Sequence, residues 1–187
     1  MLIEEILGWI GTTTYLVAYV LLTVKIIAME RLYLYLNLIA ASLIIIVSIA
    51  KSSWFVVALD LFWAAITLTK LINYSLKLPA RSKIIFQIIM GVLLSIGLNN
   101  LLLKNYHFGI SILASCSTIG YSFSYLLFLN RLLRVKEFHF WNFLLAIILI
   151  PQLVLDNNWQ VITIQIFWAA IALWGIANRN YYKKANL

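Results

Sequence analysis

The 187-residue chain is 64% apolar and 11% charged, with seven glycines and two prolines, which excludes an ordinary soluble domain, a collagen-like polymer and a flexible linker. Fourteen Lys and Arg against six Asp and Glu leave a formal charge of +8, a surplus whose meaning depends on where it lies. A lone Cys116 excludes an internal disulfide, and His107 and His139 occur singly, so neither a metal nor a cofactor is expected.

A helix crossing the hydrocarbon of a bilayer needs about 20 apolar residues, and seven stretches qualify. The first, 6–24, follows Met1-Leu2-Ile3-Glu4-Glu5, whose two acids stand where a cleavable signal would be basic, so this span is expected to be retained. It sets Gly8, Gly11, Thr12, Tyr15 and Tyr19 along one face. The second span, 32–50, holds Asn37. The third, 53–72, holds Asp60 and Trp63, and Asp60 is the only acid well inside a span, on the order of 10 Å deep. The fourth, 84–103, ends in Asn99 and Asn100. The fifth, 108–129, rebuilds the hydroxylated stripe with Ser117, Thr118, Tyr121 and Tyr125. The sixth, 138–155, holds Asn142, and the seventh, 159–177, holds Gln165 and Trp168. Trp54 and Trp159 fall at span boundaries and read as interfacial-belt residues.

Self-similarity is the most specific feature. Residues 51–68, KSSWFVVALDLFWAAITL, align without gaps to 156–173, DNNWQVITIQIFWAAIAL, with eight of eighteen positions identical. The same offset sets Asp60 on Gln165, Trp63 on Trp168 and Asn37 on Asn142, and one residue of slippage sets Tyr15 and Tyr19 on Tyr121 and Tyr125. The expected fold is therefore an all-α integral membrane protein of seven transmembrane helices in a 3-1-3 arrangement, two triple-helix bundles in parallel pseudo-twofold symmetry. Its parts are a first three-helix repeat at 1–75, a linker helix at 76–105, and a second repeat with a basic cytoplasmic tail at 106–187. The linker has no counterpart; without it the second triplet would run upside down.

Sorting charge by side explains the surplus. One face carries Lys51 and Lys104, the other the remaining twelve basic residues, among them Lys25, Lys70, Lys83, Arg134, Lys136, Arg179, Lys183 and Lys184. Basic residues in short loops stay on the cytoplasmic side. The N-terminus is expected outside and the C-terminus in the cytoplasm, in a bacterial inner membrane, with the basic clusters against anionic headgroups and no nucleic-acid partner.

This plan resembles the SWEET sugar transporters and the PnuC-type nicotinamide riboside transporters, and the stretch from Trp141 through Ile150-Pro151 to Gly175 is similar to the C-terminal half of a PnuC-type protein. The Tyr, Asn and Trp pattern of each triplet also resembles a small bacterial three-helix membrane domain, here doubled. The resemblance implies solute transport.

Polar groups inside spans normally face a cavity, the bundle interior or each other. The residues expected to bind solute are Tyr15, Asp60, Trp63, Tyr121, Gln165 and Trp168, with a gate at Tyr19, Asn37, Tyr125 and Asn142. The competing reading of Asp60 is a carboxyl bonded to a neighbouring Thr, Ser or Tyr that locks the bundle. For the Tyr–Asn pairs it is a fixed interhelical bond, and for Trp63 and Trp168 core packing. Paired aromatics with a few hydrogen-bonding groups suit a small polar, ring-bearing solute such as a vitamin precursor, nucleoside or sugar, moved by alternating access. No phosphate loop, nucleophile elbow or carboxylate pair is present, so an enzyme is not expected. The expected partners are a small-molecule solute and the lipid bilayer, with a homo-oligomer allowed. The alternative is a non-transporting membrane scaffold that binds a partner protein.

Overall fold

The computed structural model describes residues 2–23, 31–72 and 77–177. Lys25, Arg179, Lys183 and Lys184 of the basic face lie outside the described residues, as does the side chain of Tyr19. Seven helices follow one another: α1 (Leu2–Thr23), α2 (Arg31–Ala50), α3 (Trp54–Leu71), α4 (Ser82–Leu102), α5 (Tyr106–Leu129), α6 (Val135–Leu155) and α7 (Trp159–Ala177). There is no strand among the described residues. Six of the helices, α2 to α7, are long and apolar enough to cross a membrane. Their outward faces agree with that solvent, since α4 alone exposes Ile84, Ile85, Ile88, Ile89, Val92 and Ile96, a stripe that water would not tolerate.

The helices match the expected spans to within a turn. The largest departures are at two N-termini, where α1 begins at Leu2 and α6 at Val135. Each has acids in its first turn, Glu4 and Glu5 in α1 and Glu137 in α6, where a negative charge favours the helix dipole.

The chain divides into two compact units. One gathers Met1–Ser75 with Leu153–Ile164, and the other gathers Leu76–Gln152 with Gln165–Leu187. In the first unit α1 packs on α2 and α2 on α3. Small residues permit that closeness, because a Cβ on Gly11 would lie 3.1 Å from Ile44 and Leu43, and Ala40 and Ala41 are fully buried on α2. Close approach through small side chains is the usual way helices associate in lipid, where burial of apolar surface supplies no drive. The second unit repeats the device, with α4 against α5. A Cβ on Gly97 would meet Leu113 at 2.6 Å, and one on Gly120 would meet Leu145 at 2.5 Å and Met90 at 2.7 Å.

Four helix ends share one turn. Ser52, Lys104, Arg131 and Asn157 adopt left-handed φ values of 55°, 62°, 57° and 51°. Each is the residue after a helix cap, and each turn makes the same two bonds. Ser52 N–H donates to Ile49 O at 3.0 Å and Ser53 N–H to Ser48 O at 2.8 Å, while Asn157 N–H donates to Val154 O at 3.1 Å and Asn158 N–H to Leu153 O at 3.0 Å. These are Schellman turns built without the usual glycine. Ser52 and Asn157 occupy equivalent positions of the repeat, so the duplication extends to backbone dihedrals. At three of the four turns the next helix opens on an aromatic ring, Trp54, Tyr106 or Trp159, exposed by 62%, 57% and 55%, as an interfacial belt requires.

Candidate functional site

The site is best built within each unit separately. In the first unit, α1 and α3 are tied at their centres. The Tyr15 hydroxyl donates to Asp60 Oδ1 at 2.7 Å, and both residues are buried, Asp60 with 7% of its surface exposed. Trp63, nearly one turn further along α3, is half-buried, and its carbonyl accepts the Thr67 hydroxyl at 2.8 Å.

The second unit makes the same bond from the equivalent residues. The Tyr121 hydroxyl on α5 lies 2.8 Å from Gln165 Oε1 on α7 and 3.2 Å from the Asn142 carbonyl on α6. Its ring packs against Trp168, with centroids 5.6 Å apart at 56°. Ser117 adds a hydroxyl bond to the Leu145 carbonyl at 2.9 Å. Tyr15 with Asp60, and Tyr121 with Gln165 and Trp168, are thus brought together as two matching clusters, one per unit.

At the expected gate positions, Asn37 is buried and gives its amide N–H to the Tyr33 carbonyl at 2.9 Å, and Asn142 gives its own to Phe138 at 2.7 Å. Both amides are turned back onto the preceding turn of their own helix, the local bond that competes with interhelical pairing. Tyr125 is buried on α5.

A polar seam at the α2–α3 and α6–α7 turns was not singled out by sequence reasoning. Lys51 Nζ donates to Gln160 Oε1 at 2.7 Å and to the Asn157 carbonyl at 3.1 Å. The Ser53 hydroxyl donates to Asp156 Oδ2 at 2.5 Å, Asn158 Nδ2 to Ser48 Oγ at 3.2 Å, and the Thr12 hydroxyl to the Gln160 carbonyl at 3.2 Å. All these residues belong to the first unit. Room for Gln160 comes from Gly8, where a Cβ would lie 2.9 Å from its Cγ. Ser53 stands at the N-cap of α3 yet makes no side-chain cap bond, because its hydroxyl is used on Asp156. A cap of this kind is worth about 1 kcal/mol, so the short, charge-assisted bond that replaces it is the stronger of the two. A signal for the seam was present, since Lys51 and Asp156 occupy the same repeat position with opposite charge.

A single family model matches the chain twice, over residues 4–77 and 110–184. The chain belongs to this family. Each match takes in three helices, α1 to α3 and then α5 to α7, and α4 lies in the unmatched stretch between them. The family unit is therefore present in tandem, as the internal alignment anticipates. No curated protein and no solved structure matches the chain.

Proposed function

We propose that the protein is a membrane transporter for a small polar, ring-containing solute, a vitamin precursor, nucleoside or sugar. In this reading α1 to α3 and α5 to α7 are two parallel triple-helix bundles joined by α4, with the N-terminus outside and the C-terminus cytoplasmic, in a bacterial inner membrane. The bundles alternate access to residues drawn from Tyr15, Asp60, Trp63, Tyr121, Gln165 and Trp168, on the plan that the SWEET and PnuC-type transporters suggest.

The observation that carries the reading is a difference between the halves. Tyr15–Asp60 and Tyr121–Gln165 perform the same mechanical task, tying the first helix of a triplet to its third. The second pair makes its tie with a neutral amide. A carboxyl group buried in a membrane-spanning helix is expensive, and Asp60 has a neutral phenol as its hydrogen-bond partner instead of a cation. Its acidity is surplus to structure and is what a solute hydrogen bond or a coupled proton needs.

The test is uptake into proteoliposomes across a panel of vitamins, nucleosides and sugars, with and without a pH gradient. Asp60→Gln, which copies the second repeat, is expected to fold and insert normally while losing uptake or its response to the gradient. Unchanged uptake by this variant would remove Asp60 from the mechanism. A second reading, a non-transporting scaffold, is favoured by the mutual bonding of Tyr15 with Asp60 and of Tyr121 with Gln165. It predicts no uptake of any solute class and co-purification of a partner membrane protein.

A further inference from the structure

We propose that a pocket in the second unit is a binding site for the phosphodiester headgroup of an anionic glycerophospholipid. The pocket has a volume of about 390 Å³ and lies where the start of α4, the start of α6 and the end of α7 come together. Arg134, Lys136 and Glu137 line it at the start of α6, Phe140 and Trp141 line it about one turn further along that helix, and Ile176 lines it from the end of α7.

Its electrostatics favour an anion despite the acid. Glu137 is fully engaged elsewhere, taking Lys83 Nζ at 2.8 and 2.9 Å on its two oxygens and the Arg134 backbone N–H at 2.8 Å. Lys83 lies outside the lining and cancels that carboxylate. Arg134 and Lys136 are exposed, and neither has an ion-pair partner among the described residues. Lys83, Arg134 and Lys136 against the single carboxylate of Glu137 leave the mouth with a net charge of +2, and the planar guanidinium suits a phosphate oxygen pair.

The remaining walls select a lipid over a soluble phosphate. Phe86, Trp141 and Phe140 form an edge-to-face series, with Trp141 5.0 Å from Phe86 at 71° and 5.7 Å from Phe140 at 72°. This braced aromatic wall runs from the cationic mouth down a membrane-spanning helix. Phe140 is exposed, so an acyl chain lying against it continues the surrounding hydrocarbon. A soluble phosphate has no use for such a wall. Basic pockets between spanning helices are a recurrent way of holding anionic headgroups.

The test uses the full chain in nanodiscs of phosphatidylcholine doped with brominated phosphatidylglycerol. Bromines quench nearby indoles, so quenching above that given by brominated phosphatidylcholine is expected, and Trp141→Phe is expected to remove the excess. Arg134→Gln with Lys136→Gln should weaken phosphatidylglycerol binding about thirtyfold, from roughly fivefold per basic residue near the membrane surface. Lys77→Gln with Arg81→Gln, outside the pocket, should change it less than twofold. Arg134→Lys with Lys136→Arg keeps the charge and should bind within a few fold of the parent, which separates lost binding from lost folding. Equal weakening by the two neutralising pairs, or no preference for phosphatidylglycerol over phosphatidylcholine, overturns the proposal. So does displacement of the lipid by millimolar inorganic phosphate or sn-glycerol 3-phosphate, which would make this a site for soluble phosphates.

Discussion

The two tyrosine ties allow a comparison inside one molecule. Tyr15→Phe and Tyr121→Phe each delete one buried hydroxyl and leave the ring in place, so packing is nearly constant and the difference between them reports the partner. At Tyr121 the hydroxyl stands between two neutral acceptors, Gln165 Oε1 at 2.8 Å and the Asn142 carbonyl at 3.2 Å, and an interhelical hydrogen bond in membranes is worth about 0.6 kcal/mol on average and about 1.7 kcal/mol at most. At Tyr15 the variant strips Asp60 of its only side-chain hydrogen bond among the described residues. Leaving a buried polar group unsatisfied costs about 1–3 kcal/mol, and more when it is charged. Tyr15→Phe is therefore expected to destabilise by about 1–2 kcal/mol more than Tyr121→Phe. Cycles that combine each with Asp60→Ala or Gln165→Ala should give the larger coupling for the Tyr15–Asp60 pair. Reversible unfolding in mixed micelles, followed by helical circular dichroism, measures both. A Tyr121→Phe loss equal to or greater than that of Tyr15→Phe would refute the claim that the carboxyl distinguishes the halves.

Three further outcomes follow from the geometry. Lys51→Met removes both Lys51 bonds of the seam and should cost about 1.5–3 kcal/mol, the range for bonds to a charged group, read as a lowered unfolding midpoint in the same micelles. Gly120→Ala drives a Cβ into Leu145 and Met90 and should cost about 1–3 kcal/mol, whereas Gly91→Ala, which meets nothing within 4 Å, should stabilise by about 0.5–1 kcal/mol; thermal melts of the two variants decide. Ser52→Gly and Lys104→Gly relieve left-handed backbone that costs a side-chain-bearing residue about 1–2 kcal/mol. After the extra chain entropy of glycine, each should raise stability by up to about 1 kcal/mol, measured in the same melts.

The helices were legible because hydrocarbon demands long apolar runs, and their order and number follow directly from the runs. The repeat was legible because Phe62-Trp63-Ala64-Ala65-Ile66 recurs at Phe167-Trp168-Ala169-Ala170-Ile171, and aligning the halves set Asp60 against Gln165 before any contact was known. What the alignment did not convey was the partner. Sequence spacing alone gives no reason why the Tyr15 hydroxyl reaches Asp60 on α3. The amides of Asn37 and Asn142 turn back on their own helices, a choice between a local and an interhelical acceptor that depends on helix rotation. The four left-handed turns carry Ser, Lys, Arg and Asn where glycine would have announced them. The seam depends on two turns that lie more than a hundred residues apart, although the Lys51 and Asp156 reversal was in view.

That reversal constrains how the duplicated unit can assemble. Two identical first repeats meeting through this joint would set Lys51 against Phe55, the equivalent of Gln160, and two second repeats would set Asp156 against Asn158, the equivalent of Ser53. The seam as built, with Lys51 reaching across to Gln160 and Asp156 reaching back to Ser53, requires two different sequences. Cut within the connecting stretch and co-expressed, the halves should therefore reassociate as an obligate heterodimer and neither should form this joint with itself. Fusing them through α4 then does more than supply an odd helix, because it fixes a one-to-one stoichiometry that separate genes would have to regulate.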